Sequence, residues 1–287
     1  MDAFEFFENQ RYAEAISEYR KLLERNPNDW AAVDGLSTSL MIAGAYAEAL
    51  PLLGRLDEYE RAELPGHPGS KCKIACSYWC LDQWPAAMKL MRGLAEGILD
   101  RSIKYGDLAG GVQQGLLLHY MGVTAKDRKA VEFALSYLRK LAKKSRISMW
   151  PEPLARYILE EIGFDDMWRV ATDETGRTQP SNPAWKGLMM RRETCVALFH
   201  DGIRHRAEGR EKLCMERMRE CTKIDARFIE PECHLARYEV ERAASGIHWR
   251  ADAPVAPPPQ MTGEEYARLP SGTHYVHPAD GTVRRKR

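Results

Sequence analysis

Seven cysteines give this chain its most obvious potential for chemistry. Cys72, Cys76 and Cys80 follow one another at intervals of four, so they share one face of a helix, with His67 nearby as a fourth candidate zinc ligand. Structural zinc sites favour ligands spaced closely around a turn, as in Cys-x-x-Cys, and the sequence contains no such pair. We therefore expect reduced thiols that fill space in the core, and no metal or other cofactor.

Acid–base chemistry would need histidines or carboxylates that converge on one substrate. The candidates in the sequence are His119, His200, His205, Glu160 with Glu161, and Asp165 with Asp166. Neighbouring helical residues point about 100° apart, so neither acidic pair converges by itself. The nucleophile motif Gly-x-Ser-x-Gly and the zinc motif His-Glu-x-x-His are absent. We expect no catalytic residue, and keep as an alternative an enzyme site around His119 and residues 150–168.

Two further segments resemble phosphate-binding features only in composition. Residues 105–115 are rich in glycine but lack the Lys-Ser or Lys-Thr of a phosphate loop, so close helix packing is the expected use of these glycines. Residues 139–146 are basic, which is typical of the solvated C-terminal end of an amphipathic helix. We expect no nucleic-acid partner.

Charge is balanced over the chain but not along it. Lys and Arg number 42 against 41 Asp and Glu, whereas residues 1–63 carry a net charge of −7 and residues 126–156 one of +6. Acidic residues interrupt the apolar stretches at the N-terminus, and no apolar run approaches the roughly 20 residues of a membrane span. These features predict a cytoplasmic protein with no membrane contact.

An internal repeat supplies the strongest structural signal. The series Tyr12, Ala15, Tyr19 and Leu22 recurs 34 residues later as Tyr46, Ala49, Leu53 and Leu56, and again 38 residues after that as Trp84, Ala87, Met91 and Leu94. A Pro- and Gly-rich loop at residues 65–69 accounts for the longer second interval. A period in this range is typical of a solenoid, because one helical hairpin cannot bury its apolar face without a neighbour.

Each repeat contains the features of two packed helices. Apolar residues at intervals of three and four predict one helix over residues 30–43, and Gly44 ends it. A second helix is predicted over residues 46–56, with Ala49 small enough to let the two helices cross closely.

The segment Gln10-Arg11-Tyr12-Ala13-Glu14-Ala15-Ile16, followed by Asn26-Pro27-Asn28, resembles the second helix and linker of a tetratricopeptide repeat. Residues 43–49 resemble the same turn. The resemblance implies an all-α fold, a tetratricopeptide-like α-solenoid of stacked helical hairpins, and a groove lined by the first helix of each repeat that binds a protein or peptide. Matching the family's groove positions gives Asp34, Thr38, Met41, Cys72, Cys76, Trp79, Phe199, Ile203 and Arg206 as binding residues.

Four regions are predicted along the chain. Residues 1–100 hold the clear repeats, and residues 101–249 hold degenerate repeats and a capping helix. Within the second region we expect a helical hairpin over residues 108–121 and 126–144, a helix over 151–162, a late repeat from Cys195 to Cys221, a closing helix over 228–242, and a loop at 173–183. Residues 250–260 form a short Pro-rich linker, and residues 261–287 form a small C-terminal tail.

The tail is expected to contain a short helix, which begins at Thr262, and a β-hairpin over residues 273–285. A lone hairpin is marginal in water, so the tail should order by docking on a partner or on the acidic first repeats of its own chain. The residues expected to dock are Tyr266, Leu269, Tyr275, Arg284 and Arg285. The tail also resembles short C-terminal peptides of bacteriophage and prophage proteins.

Together these patterns predict a bacterial scaffold or adaptor that binds a protein partner, or a form of it that inhibits a toxin as an immunity protein. A phage or prophage assembly protein, recognised through the tail, is the alternative of a different class. A further expectation is self-association, in which the partner is a second copy of the chain.

Overall fold

A computed structural model describes residues 2–63, 69–103, 111–142, 150–172, 183–224, 230–245, 274–276 and 283–285, and these residues are almost entirely helical. The predicted all-α fold class is therefore confirmed. No helix in these ranges is long and apolar enough to cross a bilayer. The Pro-rich linker, residues 65–68 and 173–182 of the two predicted loops, and the predicted helix at Thr262 lie outside the described residues. Gly69 and Pro183, which were predicted as loop residues, each begin a helix.

The chain divides into two compact units, one formed by residues 1–90 with 254–287 and the other by residues 91–253. The division between the two units falls within the helix Trp84–Leu99. The four regions predicted from the sequence stay predictions. The helices of the first unit, including the one that crosses the division, are α1 (Ala3–Glu8), α2 (Tyr12–Arg25), α3 (Trp30–Ile42), α4 (Tyr46–Glu63), α5 (Gly69–Cys80) and α6 (Trp84–Leu99). From α1 to α5, each helix packs against the next along the chain.

Local signals set where the first helices begin and end. The Asp2 carboxylate accepts from the backbone amide of Glu5 at 2.8 Å, and the Asp2 backbone amide donates to the Glu5 carboxylate at 2.8 Å, so the two residues form a capping box. Asp29 caps α3 by accepting from the Ala32 amide at 3.0 Å. Gly44 adopts a φ of +78° after α3, a conformation that costs glycine little. The predicted helix boundaries around Gly44 are thus close to those observed.

Small residues allow the helices of the first unit to approach one another. Ala15 and Ala49, equivalent in the repeat, are both 0% exposed. The Tyr19 ring lies so close to Gly35 that a Cβ at Gly35 would come within 2.3 Å of it. This contact joins α2 to α3, and the stacked rings of Trp30 and Tyr59 (4.4 Å between centroids) join α3 to α4.

The C-terminal hairpin joins this unit. Strand β1 (His274–Val276) pairs antiparallel with β2 (Val283–Arg285), and Tyr275 lies opposite Arg284. Both strands contact α4, so the backbone of the tail packs on the chain's own first unit. The predicted hairpin is confirmed in these six residues, whereas Tyr266 and Leu269 lie outside the described residues.

The second unit is organised around one long helix, α11. Its elements after α6 are α7 (Val112–Thr124), α8 (Arg128–Ala142), α9 (Glu152–Ile158), α10 (Phe164–Thr172), α11 (Pro183–Ala207), α12 (Glu211–Lys223) and α13 (Pro231–Ala244). Helix α11 contacts α7, α9, α10, α12 and α13. The structure has helices at the predicted positions of this region, and α11 and α12 form the hairpin of the predicted late repeat. Helix α9 is shorter than predicted, α11 begins twelve residues before Cys195, and α10 was not predicted.

The close crossing at Ala49 can be tested by charge. Ala49→Glu should lower the free energy of unfolding by about 3 kcal/mol or more, because a carboxylate would be buried without a partner. Ala47→Glu, on the exposed side of the same helix, is the matched control. Thermal melting monitored by circular dichroism measures both, and equal melting temperatures would show that Ala49 does not lie at a tight crossing.

Docking of the tail can be tested by hydrogen exchange. Deleting residues 274–287 should speed amide exchange in α4, because the hairpin that contacts it is lost. Peptides from α12, in the other unit, serve as the internal control. Unchanged exchange throughout α4 would contradict docking of the hairpin on this helix.

Candidate partner-binding cavity

Arg206 lies at the end of α11 and is the centre of a polar cluster in the second unit. Its side chain is 8% exposed, and it donates to Glu211 at 2.8 and 3.0 Å, to Thr124 Oγ1 at 3.0 Å and to Glu239 at 3.1 Å. Burial alone would lower the pKa of this guanidinium, but Glu239 and Glu211 outweigh it and raise the pKa above its ordinary value. Arg206 therefore stays charged and joins α7, α11, α12 and α13.

Glu239 of α13 is the buried partner that makes this arrangement possible. The residue is 2% exposed, and its two carboxylate oxygens accept from different donors, Arg206 on Oε2 and the Tyr120 hydroxyl on Oε1 at 2.8 Å. The Tyr120 ring in turn packs edge-on against Phe199, with 4.9 Å between centroids. A buried carboxylate is tolerated when its oxygens are bonded in this way.

A cavity of about 740 Å³ opens beside Arg206. Its walls come from the end of α7, the start of α8, the end of α11, the first turns of α12 and the last turns of α13. Its volume lies within the range of about 300–1,000 Å³ that is usual for ligand pockets. The apolar part of its lining is formed by Gly122, Val123, Val131, Ala207, Met215 and Ala243.

Gly122 brings α7 and α8 together at one wall of this cavity. A Cβ at Gly122 would lie 2.9 Å from the backbone nitrogen of Val131, which cannot move without disturbing α8. The α7–α8 turn that follows Gly122 carries Lys126 and leads to Arg128, and both basic residues are exposed and line the cavity. Because Gly122 has no side chain, α7 and α8 pack closely here, and this packing sets the positions of Lys126 and Arg128.

One of the three predicted groove residues of the late repeat lies at this cavity. Arg206 lines it directly. Phe199 and Ile203, on the same helix, are both 0% exposed, and Phe199 supports the Tyr120 ring rather than facing the cavity. Their predicted role in partner binding stays a prediction.

In the first unit the predicted groove residues contribute mainly to packing. Four of them are at most 3% exposed, namely Met41, Cys72, Cys76 and Trp79. Asp34, whose side chain is 51% exposed, accepts from Lys73 Nζ at 2.6 Å, and the same nitrogen donates to Thr38 Oγ1 at 3.1 Å. This contact joins α3 to α5, and Asp34 is the exposed member of the predicted set. A binding role for these six residues also stays a prediction.

Three other cysteines, distant in sequence, meet inside the second unit. Cys195 Sγ lies 2.8 Å from Cys221 Sγ and 2.9 Å from Cys233 Sγ, which brings together α11, α12 and α13. Zinc with Zn–S bonds of about 2.3 Å would hold sulfurs roughly 3.8 Å apart, so these thiols lie closer than zinc ligands do. Burial raises the pKa of the Cys221 thiol, so it stays protonated at neutral pH. Within the described ranges, no group of three or more His, Cys, Asp or Glu side chains is arranged to hold a metal.

His119, the centre of the alternative enzyme site, is 5% exposed. Burial, assisted by the nearby His200, lowers the pKa of its imidazole to about 3. The side chain is therefore neutral at physiological pH.

A second polar cluster joins α9, α11 and α12. Asp201 is 2% exposed and accepts from the Tyr157 hydroxyl and from Arg217 Nε, the latter at 2.7 Å. The Arg204 guanidinium lies 4.5 Å from the centroid of the Tyr157 ring. No sequence pattern predicts this cluster, because its members are up to 60 residues apart and follow no recognised spacing.

The buried pair in the cavity wall predicts strongly non-additive mutations. Glu239→Leu should lower the free energy of unfolding by about 3 kcal/mol, because it leaves Arg206 partly buried with fewer partners. The double variant Arg206→Met with Glu239→Leu should recover most of that loss. Glu241→Leu, on the exposed face of α13, is the matched control. Urea unfolding compares the wild type with these three variants and with Arg206→Met alone, and additive effects of the two single changes would mean that the two charges do not stabilise each other.

No family model, curated protein or solved structure matches the chain. What the protein binds is therefore inferred from its own residues.

Proposed function

We propose that this protein is a helical scaffold of the tetratricopeptide type that binds a protein partner, and that a segment of the partner occupies the cavity beside Arg206. The cavity itself is the observation that carries the proposal. Consecutive packing of α1 to α5 and the equivalent burial of Ala15 and Ala49 support the family assignment.

The chemistry of the cavity favours a protein segment over a reacting small molecule. Its most buried charged groups, Arg206 and Glu239, bond to each other and to Thr124, Tyr120 and Glu211. These bonds within the chain hold four helices in place. The apolar wall is therefore the main surface that remains for contact with a ligand. Apolar surface rimmed by polar groups is characteristic of protein-binding sites.

Filling the cavity should abolish binding without unfolding the chain. Ala207 is the last residue of α11, it is exposed and it lines the cavity, so Ala207→Trp places an indole in the space that the partner would occupy. Ala244→Trp is the matched control, because Ala244 is the exposed last residue of α13 and is not part of the lining.

The experiment has two steps. Proteins captured from native cells by the full chain are identified by mass spectrometry, and each is then purified and titrated against the two variants by calorimetry. We expect Ala207→Trp to raise the Kd at least tenfold and Ala244→Trp to change it less than twofold. Equal affinity for both variants would overturn the assignment to this cavity, and turnover of a small molecule that Ala207→Trp blocks would favour an enzyme.

A further inference from the structure

The charges around the cavity fall into two groups. Arg206 forms ion pairs with Glu211 at 2.8 Å and with Glu239 at 3.1 Å, so this inner group carries a net charge of −1 and is satisfied within the chain. The other charged residues of the lining are Lys126, Arg128 and Arg242, and all three are basic. The outer group therefore gives the cavity an excess of positive charge.

The outer cations are placed to meet a ligand. Arg128 has a side chain that is 91% exposed, and its pairing with Glu132, an exposed pair one helical turn apart, contributes little energy. Lys126 is exposed in the turn before α8. Arg242, on α13, donates to the Tyr238 hydroxyl at 2.9 Å, which helps to hold its guanidinium in place. The cations of the lining therefore come from two parts of the chain, the α7–α8 turn with the start of α8, and α13.

Inside this basic rim the lining combines apolar residues with Thr124 and the inner ion-paired group, and it contains no aromatic residue, as far as the structure describes it. Sites for single-stranded nucleic acid commonly add aromatic side chains, on which bases stack, to their positive charge. The combination here instead matches a peptide that carries an apolar side chain between carboxylates: the side chain enters the cavity, and the carboxylates meet the rim.

From this arrangement we propose that the cavity binds an acidic segment of a partner protein through one buried apolar side chain. The inference rests on the proposed function and names the chemistry of its ligand. The excess of positive charge in residues 126–156 would also speed association with such a segment.

The acidic residues of this chain's own first unit are less suited to the role. They lie on packed helices rather than on an extended segment. A separate partner is therefore the occupant to which we commit.

The test uses labelled synthetic peptides of fifteen residues and the full-length protein, with fluorescence anisotropy as the readout. The first set carries a central Leu, Met or Phe among Asp and Glu. A second set has Ser at the centre, and a third keeps the apolar residue but replaces the acids with Lys. We expect at least one peptide of the first set to bind, its Ser counterpart to bind at least fivefold more weakly, and the Lys set not to bind.

Charge reversal then locates the site. The double variant Lys126→Glu with Arg128→Glu should raise the Kd of the acidic peptide at least tenfold. Lys129→Glu with Lys212→Glu makes the same change in net charge at two exposed residues outside the lining, and it should change the Kd less than threefold. Circular dichroism and thermal melting verify that both variants fold.

Each contrary outcome has a distinct meaning. Equal loss in the two charge variants would mean non-specific attraction and would overturn the proposal, as would binding of the Lys set or failure of every acidic peptide. Dimerisation of this chain that only the Lys126→Glu, Arg128→Glu variant abolishes would assign the cavity to a second copy instead. If the acidic peptides fail but a captured partner still loses affinity with Ala207→Trp, then the ligand class is wrong and the proposed function stands.

Discussion

The structure depends on the burial of apolar helix faces that no helix can cover alone. Helices α1 to α5 each leave one side to be covered by the next, and the contacts tolerate only small side chains where two backbones come close. Ala15 and Ala49 occupy equivalent positions in successive repeats, and Gly35, which has no side chain, leaves room for the ring of Tyr19. These residues set the distance between helices, and the positions of the larger side chains follow from it.

The second unit is held by buried polar groups as well as by apolar packing. Arg206 and Glu239 in one cluster, and Asp201 and Tyr157 in another, lie between helices that are far apart in sequence. Removing a charged group from water is costly, so such groups persist where several partners meet them. In the cluster of Arg206 and Glu239, the need of each buried charge for partners holds together the ends of α7, α11 and α13. The space between those ends is the cavity.

This division of roles supports the proposed binding of a partner at the cavity. Its inner charges are committed to the fold, which gives it a rigid wall, while Lys126 and Arg128 remain at the surface. A binding site benefits from walls that need no rearrangement, because less entropy is lost when the partner binds. The tail has a different place in the molecule, since its hairpin lies on α4 in the first unit.

The sequence by itself determined the helical class, the period of the repeat, the bounds of α3 and the hairpin in the tail, because each depends on contacts or backbone preferences within a few tens of residues. Gly44 and Asp29 act through local geometry, and the spacing of Tyr12 and Ala15 reflects one turn of helix. Only the tertiary structure decided which candidate residues are buried and which line a cavity. Cys76 and Arg206 were predicted by the same motif, yet one lies in the core and the other in a cavity wall, because that outcome depends on partners such as Glu239, 33 residues further along the chain.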